Sequence, residues 1–169
     1  MLNIWVAPRD DIGAAKAMTS ATDRPIRSHF WAPDSKSVGN IQDKGGDENF
    51  LLFMGDIASG EETNLTPFVI TRVQIIGSSE TIKDKLLIGV NNRNPKFHDV
   101  HLLDIYSGDL TLVYENEGYA GFMADDSLTL RMARSQNAEG GTDYFNIVDG
   151  VVEETAFETT AMEDSLTTS

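Results

Sequence analysis

Asp56-Ile57-Ala58-Ser59-Gly60 returns as Asp104-Ile105-Tyr106-Ser107-Gly108, 48 residues further along the chain. Each copy follows a short apolar stretch (residues 50–54 and 100–103) and precedes another, Leu65-Thr66 or Leu110-Thr111-Leu112-Val113. The same spacing extends outward. Gly13 lies 47 residues before Gly60 and follows Ile4-Trp5-Val6, and Gly150 lies 42 beyond Gly108 after Tyr144-Phe145-Asn146-Ile147-Val148-Asp149. A second set keeps step: Phe30-Trp31-Ala32-Pro33-Asp34, Ile75-Ile76-Gly77-Ser78-Ser79 and Gly121-Phe122-Met123-Ala124-Asp125 start at intervals of 45 and 46.

A period in the mid-forties, built of short β-rich segments with Gly, Asp and Asn between them, marks the blades of a β-propeller. The expected fold is all-β: a partial β-propeller of about three and a half four-stranded antiparallel blades. Lettering strands a to d from the inside out, residues 3–7 and 17–20 supply c and d of an initial half-blade. The first whole blade takes residues 26–31, 37–42, 49–54 and 63–67. The second takes 72–76, 85–90, 100–104 and 110–114, and the third 120–123, 128–133, 143–147 and 151–158. The domain reading is one partial propeller over 1–160 (half-blade 1–24, blades 25–68, 69–116 and 117–160) and a frayed polar tail over 161–169. Helix is confined to about one turn at Ala14-Ala15-Lys16-Ala17-Met18, limited by Gly13 and Pro8. Closed rings need about four blades or more, so this count implies a chain that begins and ends within a ring.

Composition excludes several partners. The chain has 169 residues, with 27 acidic against 13 basic side chains and a net charge of −14, which repels phosphate backbones and anionic lipid. Neither a nucleic-acid nor a membrane partner is expected. The longest apolar run, residues 50–54, falls far short of the roughly 20 residues that span a bilayer. There is no cysteine, hence no disulfide, thiolate metal site or cysteine nucleophile. The first ten residues carry no secretion signal, so the expected location is cytoplasmic.

The motifs narrow the class. Trp31-Ala32-Pro33-Asp34-Ser35-Lys36 resembles the W-S-P-D-G-K turn of TolB-type propellers. Asp23-Arg24-Pro25-Ile26-Arg27, Gln42-Asp43-Lys44-Gly45-Gly46-Asp47-Glu48-Asn49 and Asn91-Asn92-Arg93-Asn94-Pro95-Lys96-Phe97-His98-Asp99-Val100 follow in order. Together they resemble the N-terminal propeller of the prolyl oligopeptidase family of serine peptidases, close to its acylaminoacyl-peptidase and dipeptidyl-peptidase-like members. The likeness covers about residues 3–150. One departure is Gly39-Asn40 in a b strand, where the family usually carries bulky apolar residues. The resemblance implies a propeller that caps a separate α/β-hydrolase domain bearing a Ser-Asp-His triad, and that gates peptide substrates. The implied partners are that catalytic domain and a peptide; no cofactor is implied.

The residues themselves point away from catalysis in this chain. A nucleophile elbow needs G-x-S-x-G, because its serine sits on a sharp turn between small neighbours. No such pentapeptide occurs; the nearest, Gly77-Ser78-Ser79-Glu80-Thr81, falls in an a–b turn. His98 and His101 straddle the start of a strand, where residues three apart face opposite ways, so they do not form a metal pair. His29 belongs to an inner strand beside the channel, in a structural role. Asp43, Asp47 and Asn49 alternate as calcium ligands do, yet the twelfth position from Asp43 is Met54 rather than Glu. The segment reads as a b–c hairpin in which Gly45 and Gly46 supply positive φ. No metal site and no catalytic residue are assigned.

Substrate or domain contacts are assigned to Arg93, whose planar fork can hold a carboxylate, and to Asp47 and Glu48. A salt bridge from Arg93 to Asp99 or to a neighbouring blade is an equal alternative. Asn91-Asn92-Arg93-Asn94-Pro95 and residues 135–141 are expected as polar loops. Pro33 and Asp34 are expected to build the a–b turn. The leading function is a non-catalytic scaffold and gate of a serine peptidase; the alternatives are a stand-alone TolB-like interaction module and, more distantly, a propeller glycosidase. Open blade edges are expected to promote self-association.

Overall fold

The computed structural model describes residues 2–22, 26, 28–43 and 46–161. Among them lie fifteen short strands and one 3₁₀ turn, Ile12–Ala14, and no helix is long and apolar enough to cross a membrane. Strands β3 (Ser28–Trp31), β4 (Ser37–Gln42), β5 (Leu51–Asp56) and β6 (Glu62–Asn64) form one antiparallel sheet in sequence order. The second sheet consists of β7 (Val73–Ser78), β8 (Lys85–Asn94), β9 (Phe97–Asp104) and β10 (Leu110–Tyr114). The third has β11 (Gly121–Ala124), β12 (Leu130–Gln136), β13 (Thr142–Val148), β14 (Val151–Val152) and β15 (Glu158–Thr160). Ahead of them, β1 (Trp5–Val6) pairs with β2 (Lys16–Ala17). The all-β expectation of consecutive four-stranded meanders holds.

The cores lie between sheets. Leu86, Ile88 and Val90 of β8 meet Leu52 and Met54 of β5, with Ala32 just after β3 and Leu65 just after β6. Leu87, on the opposite face of β8, joins Val100 against Phe122, Leu128, Leu130, Ala133 and Ile147. Successive strand residues point to opposite faces, so a strand sandwiched between two blades reads as an unbroken apolar run. Leu86-Leu87-Ile88-Gly89-Val90 is that run. Tyr114, Tyr119, Phe122 and Phe145 pack edge-on or tilted across the second junction, with centroids 5.1–6.5 Å apart.

Several boundaries differ from expectation, each for a local reason. The polar segment at Asn91 is no loop: β8 runs on to Asn94, with a bulge after Val90, and turns through Pro95-Lys96 to pair Asn94 with Phe97. Ser135 and Gln136 likewise belong to β12, and the turn starts only at Asn137. The outermost strand of the third blade is split. β14 pairs with one end of β13 and β15 with the other, and the intervening residues bow outward while Glu153 and Phe157 N–H still reach Asn146 and Tyr144 carbonyls. Leu128 adopts φ 59° in the turn instead of opening β12. The initial pair of strands is shorter than residues 3–7 and 17–20, and the single helical turn lies at Ile12–Ala14 rather than at residues 14–18, of which Lys16–Ala17 is strand.

Candidate interaction surface on the b–c loop face

Alternating strands place the b–c hairpins and d–a connections at one end of every blade, and the a–b and c–d turns at the other. The b–c end of the second blade is organised by Arg93. Its Nε and Nη2 donate to Asp99 Oδ2 and Oδ1 at 2.8 Å each, Nη2 also donates to the Asn116 carbonyl at 2.9 Å, and Nη1 reaches Glu117 at 3.1 Å. Glu115 stands 3.6 Å from Nη1. A guanidinium has five N–H donors, and this one is almost fully engaged within the chain. Asp99 is buried and also accepts the Asn116 N–H at 2.7 Å. Arg93 first, and then the Asn116 N–H, hold the Asp99 carboxyl below the ordinary carboxylate range against the opposing effect of burial. Asp99 in turn raises the Arg93 guanidinium. The arrangement clamps the β10–β11 connection onto β9 and turns Glu115 and Glu117 outward.

Asp47 and Glu48 lie in the corresponding hairpin of the first blade. Asp47 accepts both the backbone and side-chain N–H of Asn49 at 3.0 Å. Glu48, at φ 57°, pairs with Arg72 of the next d–a connection at 2.7 Å. That pair is exposed and therefore weak. Gly46 has φ 86°, as a hairpin glycine should, while Gly45 lies outside the described residues. Thus Asp47, Glu48 and Arg93 share one end of the blades, and each is tied to its own turn or to a neighbouring connection.

At the opposite end, Asp34 Oδ1 accepts N–H groups from Lys36 and Ser37 at 2.9 and 3.0 Å, and Oδ2 accepts the Ser37 and Tyr106 hydroxyls. Burial pushes the carboxyl up, but these donors outweigh it and leave Asp34 below its ordinary range. Pro33 precedes Asp34 in this turn, and Ser35 follows at φ 57°. Ser79 occupies the matching place in the second blade: it is buried, and its Oγ accepts the Thr81 and Ile82 N–H groups.

Sequence reasoning missed a groove of about 230 Å³ between the second and third blades. Gln74, His98, Asn116, Arg134 and Tyr144 contribute polar groups to its lining, and Ile76 and Phe122 apolar ones. His98 Nε2 is buried there without a hydrogen-bond partner. Burial, reinforced by the charge of Arg72 and opposed by Asp99, pulls His98 below the ordinary imidazole range. Nothing in the spacing of His98 and Arg134 signals this meeting, because it depends on how two blades face each other. His29 lines a separate cleft with Trp5 and Trp31.

Three meanders packed face to face through shared apolar layers define an arc of a β-propeller. TolB from Acinetobacter baumannii has the same fold: the superposition covers 92% of this chain and 38% of that one, with a TM-score of 0.57 at 15% identity. In sequence, the chain is similar throughout its length to Dipeptidyl aminopeptidase BIII of Pseudoxanthomonas mexicana, with 37% identity over 171 aligned residues. It is also similar to Dipeptidyl peptidase family member 6 of Caenorhabditis elegans, with 26% identity over 78% of the chain. The chain spans 24% and 18% of the lengths of these two relatives. No family profile matches it. The kinship implied by the ordered motifs is therefore with dipeptidyl peptidases of the prolyl oligopeptidase family, on TolB-like propeller blades.

Proposed function

We propose that the chain serves as a propeller portion of a dipeptidyl-peptidase-like serine peptidase, a scaffold and substrate gate beside an α/β-hydrolase domain that carries the catalytic serine. One observation carries this reading: similarity to Dipeptidyl aminopeptidase BIII runs through the whole chain yet accounts for only 24% of that relative. The lack of a G-x-S-x-G sequence supports it, as does the commitment of Ser79 Oγ to two turn N–H groups. On this reading the blades divide at 1–24, 25–68, 69–116 and 117–160. The end bearing Asp47, Glu48 and Arg93 meets the hydrolase domain or the peptide. Arg93 acts there by holding the connection that presents Glu115 and Glu117, not by offering its own occupied fork.

The test compares the chain alone with a chimera in which it replaces the matching segment of Dipeptidyl aminopeptidase BIII. Dipeptidyl-p-nitroanilides and a fluorophosphonate serine-hydrolase probe are the reagents. The chimera should turn over substrate, whereas the chain alone should neither turn over nor be labelled. Labelling of Ser78 or Ser79 in the isolated chain above a heat-treated control would overturn the non-catalytic assignment. A folded but inactive chimera would favour a stand-alone interaction module.

A further inference from the structure

The groove between the second and third blades combines three features that the turns and cores leave unexplained. The Arg134 guanidinium has no hydrogen-bond or ion-pair partner among the described residues, although acidic side chains outnumber basic ones 27 to 13. Its neighbour on the same strand, Arg131, is by contrast paired with Asp125 at 2.7 Å. Arg134 Nε lies 2.9 Å from the point where a Cβ on Gly121 would sit, so its side chain crosses the innermost strand at the residue that has none. His98 contributes a buried Nε2 with no partner. Gln74 and Tyr144 add an amide and a phenol to the same lining.

We propose that this groove is a carboxylate-binding site. An unpaired guanidinium offers two parallel N–H groups to the two oxygens of a carboxylate, and a neutral amide cannot accept both. The unpaired imidazole nitrogen, in its N–H tautomer, supplies a further donor whose burial otherwise has no compensation. Ile76 and Phe122 give the ligand's aliphatic part an apolar wall. The overall charge of −14 does not defeat local attraction, because distant acids are screened beyond about 8 Å at physiological ionic strength. A peptide's terminal carboxylate and an acidic side chain share this chemistry. The site requires no catalytic domain, so it stands or falls separately from the peptidase reading.

The experiment titrates the 169-residue chain with N-acetyl-Ala-Ala, its C-terminal amide, and N-acetyl-Ala-Glu-amide, following the His98 ring resonances by NMR. Saturable shifts are expected with at least one acid and none with the neutral amide. The better of the two acids identifies the source as chain terminus or side chain. Arg134→Gln should weaken binding at least about tenfold, as loss of a charge-assisted bidentate contact does. Arg134→Lys, which keeps the charge without the fork, should fall between. Near-UV circular dichroism establishes that each variant is folded. Equal shifts with acid and amide, or unaltered acid binding in folded Arg134→Gln, would overturn the proposal.

Discussion

Asp34, Ser79 and Asp125 stand at equivalent places in three successive blades, and each points an oxygen back at two backbone N–H groups of its own a–b turn. The c–d turns repeat a second device. Asp56 and Asp104 accept N–H groups through Oδ1, and Gly60 and Gly108 take φ of 76° and 77° to close the turn. The recurring letters are thus recurring hydrogen bonds. Asp34→Ala removes acceptors from two N–H groups and two hydroxyls, and should lower stability by about 0.5–2 kcal/mol, the range of a lost cap. Urea denaturation at neutral pH measures it, and an unchanged midpoint would contradict the role. Asp104 adds pH dependence. Lys85, then the Ser107 and Tyr106 N–H groups, hold its carboxyl at about 2, below the ordinary 3.8. A depressed folded value stabilises the protein above the unfolded value, and the effect is lost as pH falls through the folded one. Asp104→Asn should therefore lower the urea midpoint at pH 7, and the gap from wild type should shrink by roughly half near pH 3. A gap of constant size would show that the Asp104 charge is not the source.

At the scale of the strand, the departure at Gly39-Asn40 has a packing explanation. Gly39 pairs with Phe30 across β3 and β4, and the Phe30 ring lies on the position a Gly39 Cβ would take. The ring occupies the space that an apolar side chain fills elsewhere, as aromatic groups do over strand glycines. Asn40, buried beside it, donates to Glu62 at 2.8 Å. Gly39→Ala should force the ring aside and cost about 1–3 kcal/mol, the usual range for overpacking. Combining it with Phe30→Leu should cost less than the sum of the two changes, because they share one space; strict additivity in thermal melts would remove this account. The apolar run of β8 and the spaced Asp and Gly turns were readable because each is dictated by its own local alternation or backbone angle. The split of β14 from β15 and the extension of β8 to Asn94 were not, since polar residues on a long hairpin look like loop residues. The fork of Arg93 could be paired with Asp99 on paper, whereas the Asn116 carbonyl that completes the clamp becomes visible only once β10 and β11 are placed. The groove at Arg134 is further still from the sequence, because it belongs to two blades and to neither alone.

Among the described residues the molecule is an arc whose middle blade is covered on both faces and whose outer members are not. β1 contributes only two paired residues, and Trp5 within it is 63% exposed. At the far end, the third sheet packs through Phe122 and Phe145 on one face and meets no further sheet on the other among the described residues; Val151 is 68% and Phe157 48% exposed near its outer strand. Unpaired edges and bare blade faces are templates for another chain. Two copies do not complete a ring, however, because each would bring the same outer pair of strands, β1 with β2, and neither the inner pair that should cover them. Association should consequently be concentration-dependent and without a fixed stoichiometry. Sedimentation velocity over a wide concentration range should show a rising weight-average coefficient, with Trp5→Lys and Val151→Lys together lowering it. A single monomeric boundary at every concentration, with cooperative unfolding, would mean that the arc is self-sufficient, and would shift the balance from a peptidase segment toward a stand-alone propeller-like module.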